Sequence, residues 1–186
     1  MLLSAEGFFR VGVQFALLTY LVLFLRSLNV DLVVASLLFA IAHASGAAGR
    51  IIWGIVSDRV FCSKRKNVYM VIGLIAMISF IGFGQLGPST PFWAVLLNVG
   101  LLGFTAIGFQ GVELTLIAEC AGPRLTGTVT GFCQSLFFIG AALIAPLVGF
   151  IVDTTNSFSF AWGVLASLSL LCCTILFFVN EKMGTV

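Results

Sequence analysis

Charge is what this sequence has least of. Aspartate, glutamate, lysine and arginine make up 9% of its 186 residues, where an ordinary soluble domain carries about a quarter. Hydrophobic residues make up 60%, so a soluble fold of this length would lack the polar side chains to cover its surface. The composition requires a lipid bilayer as solvent. Other scarcities exclude other functions. The net charge of +2 is too small, and the basic residues too localised, for a nucleic-acid partner. A single histidine rules out bis-histidine haem binding in a monomer. The five cysteines contain no C-x-x-C pair. Cys133, Cys172 and Cys173 fall in apolar runs as small hydrophobes, and Cys62 and Cys120 in or near loops. There is no Gly-rich nucleotide loop and no G-x-S-G protease serine, so neither an enzyme nor a cofactor is expected. The opening MLLSAEGFF has no basic leader and no small-residue cleavage site, so no cleaved signal peptide is expected.

What remains is long apolar runs. A spanning helix needs roughly 20 mostly apolar residues, and six such runs are present: 7–25, 32–56, 68–86, 92–117, 128–152 and 158–179. The breaks carry capping and turn chemistry. Asn29 and Asp31 precede the second run, Pro91 opens the fourth, Gly122-Pro123 separates the fourth from the fifth, and Asn156-Ser157 precedes the sixth. Strands are excluded because the runs are too long, do not alternate, and an open sheet edge cannot face lipid. The chain reads as an all-α membrane protein, a single six-helix bundle over residues 1–186.

Orientation follows from lysine and arginine. With the N-terminus inside, Arg10, Arg59, Lys64, Arg65, Lys66, Arg124 and Lys182 gather at or near the cytoplasmic face and only Arg26 lies outside. Both termini are expected in the cytoplasm, and the compact loops suit a prokaryotic inner membrane. Lys64, Arg65 and Lys66 read as topology determinants rather than solute ligands.

The second and fifth runs resemble each other. Gly46-Ala47-Ala48 leads to Gly54-x-x-x-Asp58, and Gly140-Ala141-Ala142 to Gly149-x-x-x-Asp153, with one residue of offset. One aspartate exits inside and the other outside. Each copy falls on the middle helix of its triplet, which predicts a three-plus-three inverted repeat.

Polar residues inside the runs are the candidates for function. Arg50 lies well within the second run, and His43, seven residues earlier, shares its helix face. At ~1.5 Å rise per residue the two lie ~10 Å apart. A charge kept inside a membrane helix should face protein or a water-filled interior. Arg50 is expected either to bind an anion or to serve structure, by pairing with Glu113 or reaching the interface. His43 suits either proton coupling or an interior hydrogen bond. Gln14, Asn98, Gln110 and Gln134 need partners in the cavity or on other helices. Glu113 and Glu119 are plausible partners for Arg50, Arg59 or Arg124. Asp58 suits an ion pair with Arg124 or a helix N-terminus.

Several of these residues form patterns similar to those of the major facilitator superfamily. Gly54-x-x-x-Asp58-Arg59 followed by Lys64-Arg65-Lys66 resembles the loop signature G-x-x-x-D-R-x-G-R-R, without its inner glycine and with the basic run displaced. Gln110-Gly111 resembles R-x-x-Q-G with Ile107 at the arginine position, and Ala141-x-x-x-Ala145-Pro146-x-x-Gly149 resembles G-x-x-x-G-P-x-x-G. Glu119-x-x-x-Pro123-Arg124-x-x-Gly127 looks like the loop after the family's fourth or tenth helix. The resemblance implies a secondary transporter of small solutes working by alternating access, with Gly54, Asp58, Arg59, Glu113, Glu119 and Arg124 at an inner gate. Arg50 within GRIIWG also resembles a position in monocarboxylate and oxalate–formate carriers, where a membrane arginine pairs with substrate carboxylate. Members have twelve helices in two bundles, so the chain looks like one half. Degenerate signatures and a C-terminus close to the last helix imply the C-terminal half. A second six-helix half or a homodimer partner is then expected, and the competing reading is a subunit or remnant that associates with a partner half without transporting.

Overall fold

The computed structural model describes residues 2–62 and 64–178, and its regular structure is entirely helical. Six helices are long and apolar enough to cross a membrane: α1 (Leu2–Ser27), α2 (Leu32–Arg59), α3 (Arg65–Gly84), α4 (Phe92–Ala121), α5 (Thr126–Thr155) and α6 (Phe158–Phe177). Most run past the apolar stretches read from the sequence; α2 continues three residues to Arg59 and α3 starts at Arg65 rather than Val68. The reason is backbone hydrogen bonding. A helix entering the headgroup region keeps its amides paired by continuing, whatever the polarity of its side chains. Val179 and Lys182 lie outside the described residues.

The breaks work as their residue types dictate. Asp31 caps α2 by accepting from the Val33 amide at 2.8 Å, and Ser157 accepts from the Phe160 amide at α6. Asn29 and Asn156 take left-handed backbone, with φ of 63° and 50°, where asparagine is among the few tolerated side chains. Pro91 sits one residue before the first turn of α4, not in it.

Packing follows small residues, since lipid tails give helices no hydrophobic reason to associate. The most extensive helix pairs are α1 with α5, α2 with α4, and α3 with α6. Exchanging α1 with α4, α2 with α5 and α3 with α6 turns the first pair into the second and the third into itself. That is the pairing a three-plus-three inverted repeat requires. At the α2–α4 crossing a side chain on Gly49 would run into the Phe104 carbonyl, and one on Gly103 into the backbone of Ala42. At the α1–α5 crossing, one on Gly140 would run into the Phe8 carbonyl.

The centre of α4 is not regular. Residues Gly103–Ile107 form a π turn between two α segments, a feature often found at functional sites. Trp53 of α2 donates its indole N–H to the Phe104 carbonyl within that turn at 3.0 Å. Two apolar clusters fill the bundle. One gathers Phe24, Phe80, Phe83 and Trp162, with ring centroids of Phe24 and Phe83 4.7 Å apart. The other, towards the basic end, gathers Trp53, Tyr69, Phe109 and Phe137. The helices α2 and α5 are the least buried of the six and carry many exposed apolar side chains, among them Ile51, Ile55, Phe132 and Leu143.

Gly49→Val and Gly140→Val should each destabilise the bundle by roughly 1–3 kcal/mol or prevent folding, as overpacking does. Gly54→Val should keep more of the folded protein, because nothing lies within 4 Å of where a Cβ would stand on Gly54. Thermal denaturation of the purified variants in detergent checks the order, and a Gly54 variant less stable than the other two contradicts it.

Candidate functional site

Three groups of polar side chains occupy successive levels of the bundle, and α4 contributes to each. The first is a row across α2, α4 and α1. Arg50 is exposed on α2 and its guanidinium donates through Nη2 to Gln110 Oε1 of α4. Gln110 Nε2 in turn donates to Gln14 Oε1 of the buried Gln14 on α1, at 3.1 Å. The approach of Gly111 to the Arg50 backbone brings these helices close enough for the contact. Arg50 therefore pairs with Gln110 and not with Glu113, which the spacing had also allowed. Its charge is not neutralised by any carboxylate among the described residues. His43 is likewise exposed on α2; its ring stacks obliquely on Phe39 with centroids 4.5 Å apart, and Nδ1 lies 3.1 Å from the Phe39 carbonyl. A proton on Nδ1 would serve that bond and leave Nε2 as an acceptor.

Three residues further along α4 lies a buried cluster that the sequence reading did not assemble. Arg10 is 6% exposed and pairs through Nε with Glu6 Oε1, one turn earlier on α1. The guanidinium carbon lies 4.3 Å from the centroid of the Tyr69 ring of α3, within cation–π range. Tyr69 donates its hydroxyl to Glu113 Oε1 of α4 at 2.9 Å. Counting lysine and arginine placed Arg10 near the aqueous face, whereas the structure draws it into the bundle. Two signals were present: Glu6 and Arg10 stand at i and i+4, where opposite charges meet on a helix, and Tyr69 is one of two tyrosines.

The third level is a clasp at the basic end. Arg65, at the start of α3, reaches Asp58 Oδ1 of α2 at 2.5 Å, Ser57 Oγ at 3.0 Å and Glu119 Oε1 of α4 at 3.1 Å. The partner of Asp58 is thus Arg65 rather than Arg124, and the same arginine rather than Arg50, Arg59 or Arg124 takes Glu119. Position explains the choice: Arg65 stands at the start of α3 within reach of both α2 and α4, and its guanidinium donates to acceptors on the two helices at once. Arg59 and Arg124 are exposed and make no ion pair among the described residues. Gly54, one turn before Asp58, has open space where a side chain would stand, with nothing among the described residues within 4 Å of it. Asp153, the counterpart of Asp58 in the repeat, is exposed and makes no ion pair among the described residues, where the clasp is built at one end only.

Two candidate amides stand apart from these levels. Asn98 is half-buried on α4 and its Oδ1 has no hydrogen-bond partner among the described residues. Gln134 is half-buried on α5 and bonds to nothing among the described residues. Among the described residues no group of three or more His, Cys, Asp or Glu side chains could hold a metal ion.

Six helices long enough to span a membrane, with inverted-repeat packing and a polar row on the exposed side, make a multi-pass membrane helix bundle. The chain belongs to the Major Facilitator Superfamily, whose sequence model matches residues 4–185, and it is an integral, multi-pass membrane protein. It is 32% identical over 139 residues to a probable L-galactonate transporter of Escherichia coli, covering 72% of this chain and 30% of that protein. It is 28% identical over 157 residues to an aspyridones efflux protein of Emericella nidulans, covering 84% of this chain and 31% of the relative. The chain thus spans about a third of the length of these curated relatives. The inward-open xylose transporter of Escherichia coli superimposes with a TM-score of 0.73 at 18% identity, over 97% of this chain and 47% of that one. That likeness concerns the fold alone.

Asp58 and Glu119 are each about half exposed where they meet Arg65, so the clasp should contribute little to stability. A double-mutant cycle with Asp58→Asn and Arg65→Gln should give a coupling of about 0.2–1 kcal/mol by thermal or chemical unfolding. A coupling above about 3 kcal/mol would mean that the pair is far better shielded than its exposure indicates.

Proposed function

We propose that this bundle is one half of a secondary active transporter that moves a small organic anion by alternating access, the solute path lying between it and a second six-helix bundle. The observation that carries this reading is Arg50, a permanent charge well inside an apolar helix, exposed and, among the described residues, paired with an amide and no carboxylate. Lipid does not tolerate such a group, so that side of α2 must face water or another protein surface. The guanidinium has donors to spare beyond Gln110, in a planar fork suited to gripping a carboxylate with two hydrogen bonds. Gln110 and Gln14 add amide donors and acceptors for a hydroxylated solute. The name of the L-galactonate relative supports the same class, because a sugar acid presents one carboxylate and several hydroxyls. His43 lies on the same exposed side, about 10 Å from Arg50 along the helix.

The second bundle completes what this chain leaves open. The bare face of Gly54 and the exposed apolar side chains of α2 and α5 provide surface for it. Either a second copy or a different six-helix half can supply it. In such an assembly Asp58, Arg59, Glu119 and Arg124 stand at an inner gate, with the Arg65 clasp holding α2, α3 and α4 together when the gate is closed. The gathering of basic residues at the clasp end supports a cytoplasmic location for that end and for both termini, in a prokaryotic inner membrane.

In an assembly that includes the partner half, Arg50→Gln should lose most anion binding and Arg50→Lys should retain part of it. Folded yield should stay near normal in both, because Arg50 is exposed and leaves no carboxylate unpaired. Equilibrium binding of sugar acids to the purified assembly, read beside the yield of folded protein, checks this. Undiminished anion binding in Arg50→Gln eliminates the anion site. For orientation, Lys64→Cys in a cysteine-free background should react with membrane-impermeant maleimide only from the cytoplasmic side, and exclusive external labelling would reverse the assignment.

A further inference from the structure

The row from Arg50 through Gln110 to Gln14 can run in one direction only. A carboxamide has a carbonyl oxygen on one side and an NH2 group on the other, and its neighbours decide which way it turns. The guanidinium has donors and no acceptor, so Gln110 must turn Oε1 to Arg50 Nη2. That leaves Gln110 Nε2, a donor, on the far side, and Gln14 must turn Oε1 to it, at 3.1 Å. Gln14 Nε2 is then the last group of the row. A charge on α2 thus fixes the orientation of an amide on α1, two hydrogen bonds away.

That last NH2 group has no acceptor among the described residues, where the one hydrogen bond of the Gln14 side chain is made by its oxygen. It is not sealed in either. The enclosed polar atoms that lack a partner are Glu6 Oε2, Arg10 Nη2, Asn98 Oδ1 and Trp162 Nε1. Gln14 Nε2 is not one of them, so the 4% of Gln14 that stays accessible includes it. Burial of the rest of the side chain limits its rotamers and holds the NH2 group in place. The other end of the row is open as well. Arg50 is exposed, gives one N–H to Gln110, and meets no carboxylate among the described residues. Both carbonyl oxygens accept within the row, so the groups left at its two ends are donors.

We propose that the row is a two-point donor site: Arg50 takes the carboxylate of the solute, and Gln14 Nε2 takes a second oxygen acceptor on the same molecule. Gln14 is then the residue that selects hydroxy acids and dicarboxylates over plain monocarboxylates and over amino acids. The inference rests on the anion reading of Arg50 and extends it by assigning selectivity to a different helix. A donor at the edge of a nearly buried side chain is poorly solvated and gains from an acceptor that reaches it. A hydroxyl or carboxylate oxygen satisfies it, and a methyl group leaves it unpaired. An ammonium group has donors alone and sets donor against donor. The two ends are separated by two hydrogen bonds of ~3 Å and the widths of two amide groups, roughly 10 Å at full stretch. A five-carbon acid bridges that gap with a hydrogen bond at each end. Gln110 positions both ends, because it holds the guanidinium and sets the direction of the Gln14 amide.

Four acids of equal chain length test this: pentanoate, 5-hydroxypentanoate, glutarate and 5-aminopentanoate, which end in methyl, hydroxyl, carboxylate and ammonium. Their equilibrium binding is measured on the purified assembly of the full chain with its partner half. The hydroxy acid should bind about 2- to 10-fold more tightly than pentanoate and glutarate about 10-fold or more, as hydrogen bonds to neutral and charged acceptors do. The amino acid should bind most weakly. Gln14→Leu should bring the glutarate-to-pentanoate ratio close to one. Gln14→Glu keeps the oxygen that Gln110 needs and replaces the outward NH2 group by an acceptor, so 5-aminopentanoate should then bind above glutarate. A merely structural Gln14 would shift all four affinities together and could not invert their order. Equal wild-type affinities for pentanoate and glutarate overturn the proposal without any variant having to fold, as does tightest binding of 5-aminopentanoate. A glutarate preference that survives Gln14→Leu also overturns it. Failure of the anion reading looks different: Arg50→Gln then leaves all four affinities undiminished, and this inference falls with it. Loss of all four in Arg50→Gln beside equal wild-type affinities removes this inference alone.

Discussion

The close crossing of α2 and α4 is the constraint on which the polar architecture depends. Gly49 and Gly103 let the two backbones touch, and the π turn of α4 sits at the point of contact, its Phe104 carbonyl taken by Trp53. Small residues at such a crossing trade side-chain volume for backbone proximity, the main source of helix association in lipid. The crossing places Arg50 beside Gln110 in mid-helix and brings Asp58 and Glu119 to the same arginine at the basic end. A wider separation would leave Arg50 without an amide partner and Arg65 with one carboxylate.

The three polar levels differ in how they handle charge. In the clasp, charges are half exposed and water shares their solvation, so the ion pairs are weak ties between helix ends. In the row, a cation is left without a counterion among the described residues and faces outward. In the buried cluster, the side chains are shielded from bulk solvent and meet one another, Glu6 with Arg10 and Tyr69 with Glu113. The chemistry available at each level follows from that difference in solvation, although the same residue types recur.

The repeat has a consequence of its own. Packing obeys the exchange of one helix triplet for the other, but the side chains do not. Gly149 packs on the Tyr20 hydroxyl while Gly54 faces open space, and Asp58 is clasped while Asp153 makes no ion pair among the described residues. Backbone symmetry therefore supplies a scaffold with two equivalent ends, and the basic run at residues 64–66 makes one of them distinct.

Much of the fold was legible because lipid imposes a simple rule. Backbone groups with no water must close their own hydrogen bonds, so six apolar runs with capping residues between them can only be six helices. Asp31, Asn156 and Ser157 mark breaks for local reasons that a sequence displays directly. The G-x-x-x-D copies exposed the repeat, and the charge cluster exposed the polarity of the bundle. Which charges pair was decided by tertiary structure alone. Arg10 reads as one more basic residue at a membrane face until α3 and α4 close over it with Tyr69 and Glu113. Glu113 and Glu119 lie on one helix at different rotations, and that rotation sends one inward to a phenol and the other outward to Arg65. Arg50 could have met either an amide or a carboxylate on α4, and the glycine-set crossing selected Gln110. The reason is physical: burial and helix spacing are local in sequence, whereas a charge in a bundle is partnered across helices whose relative rotation no single segment encodes.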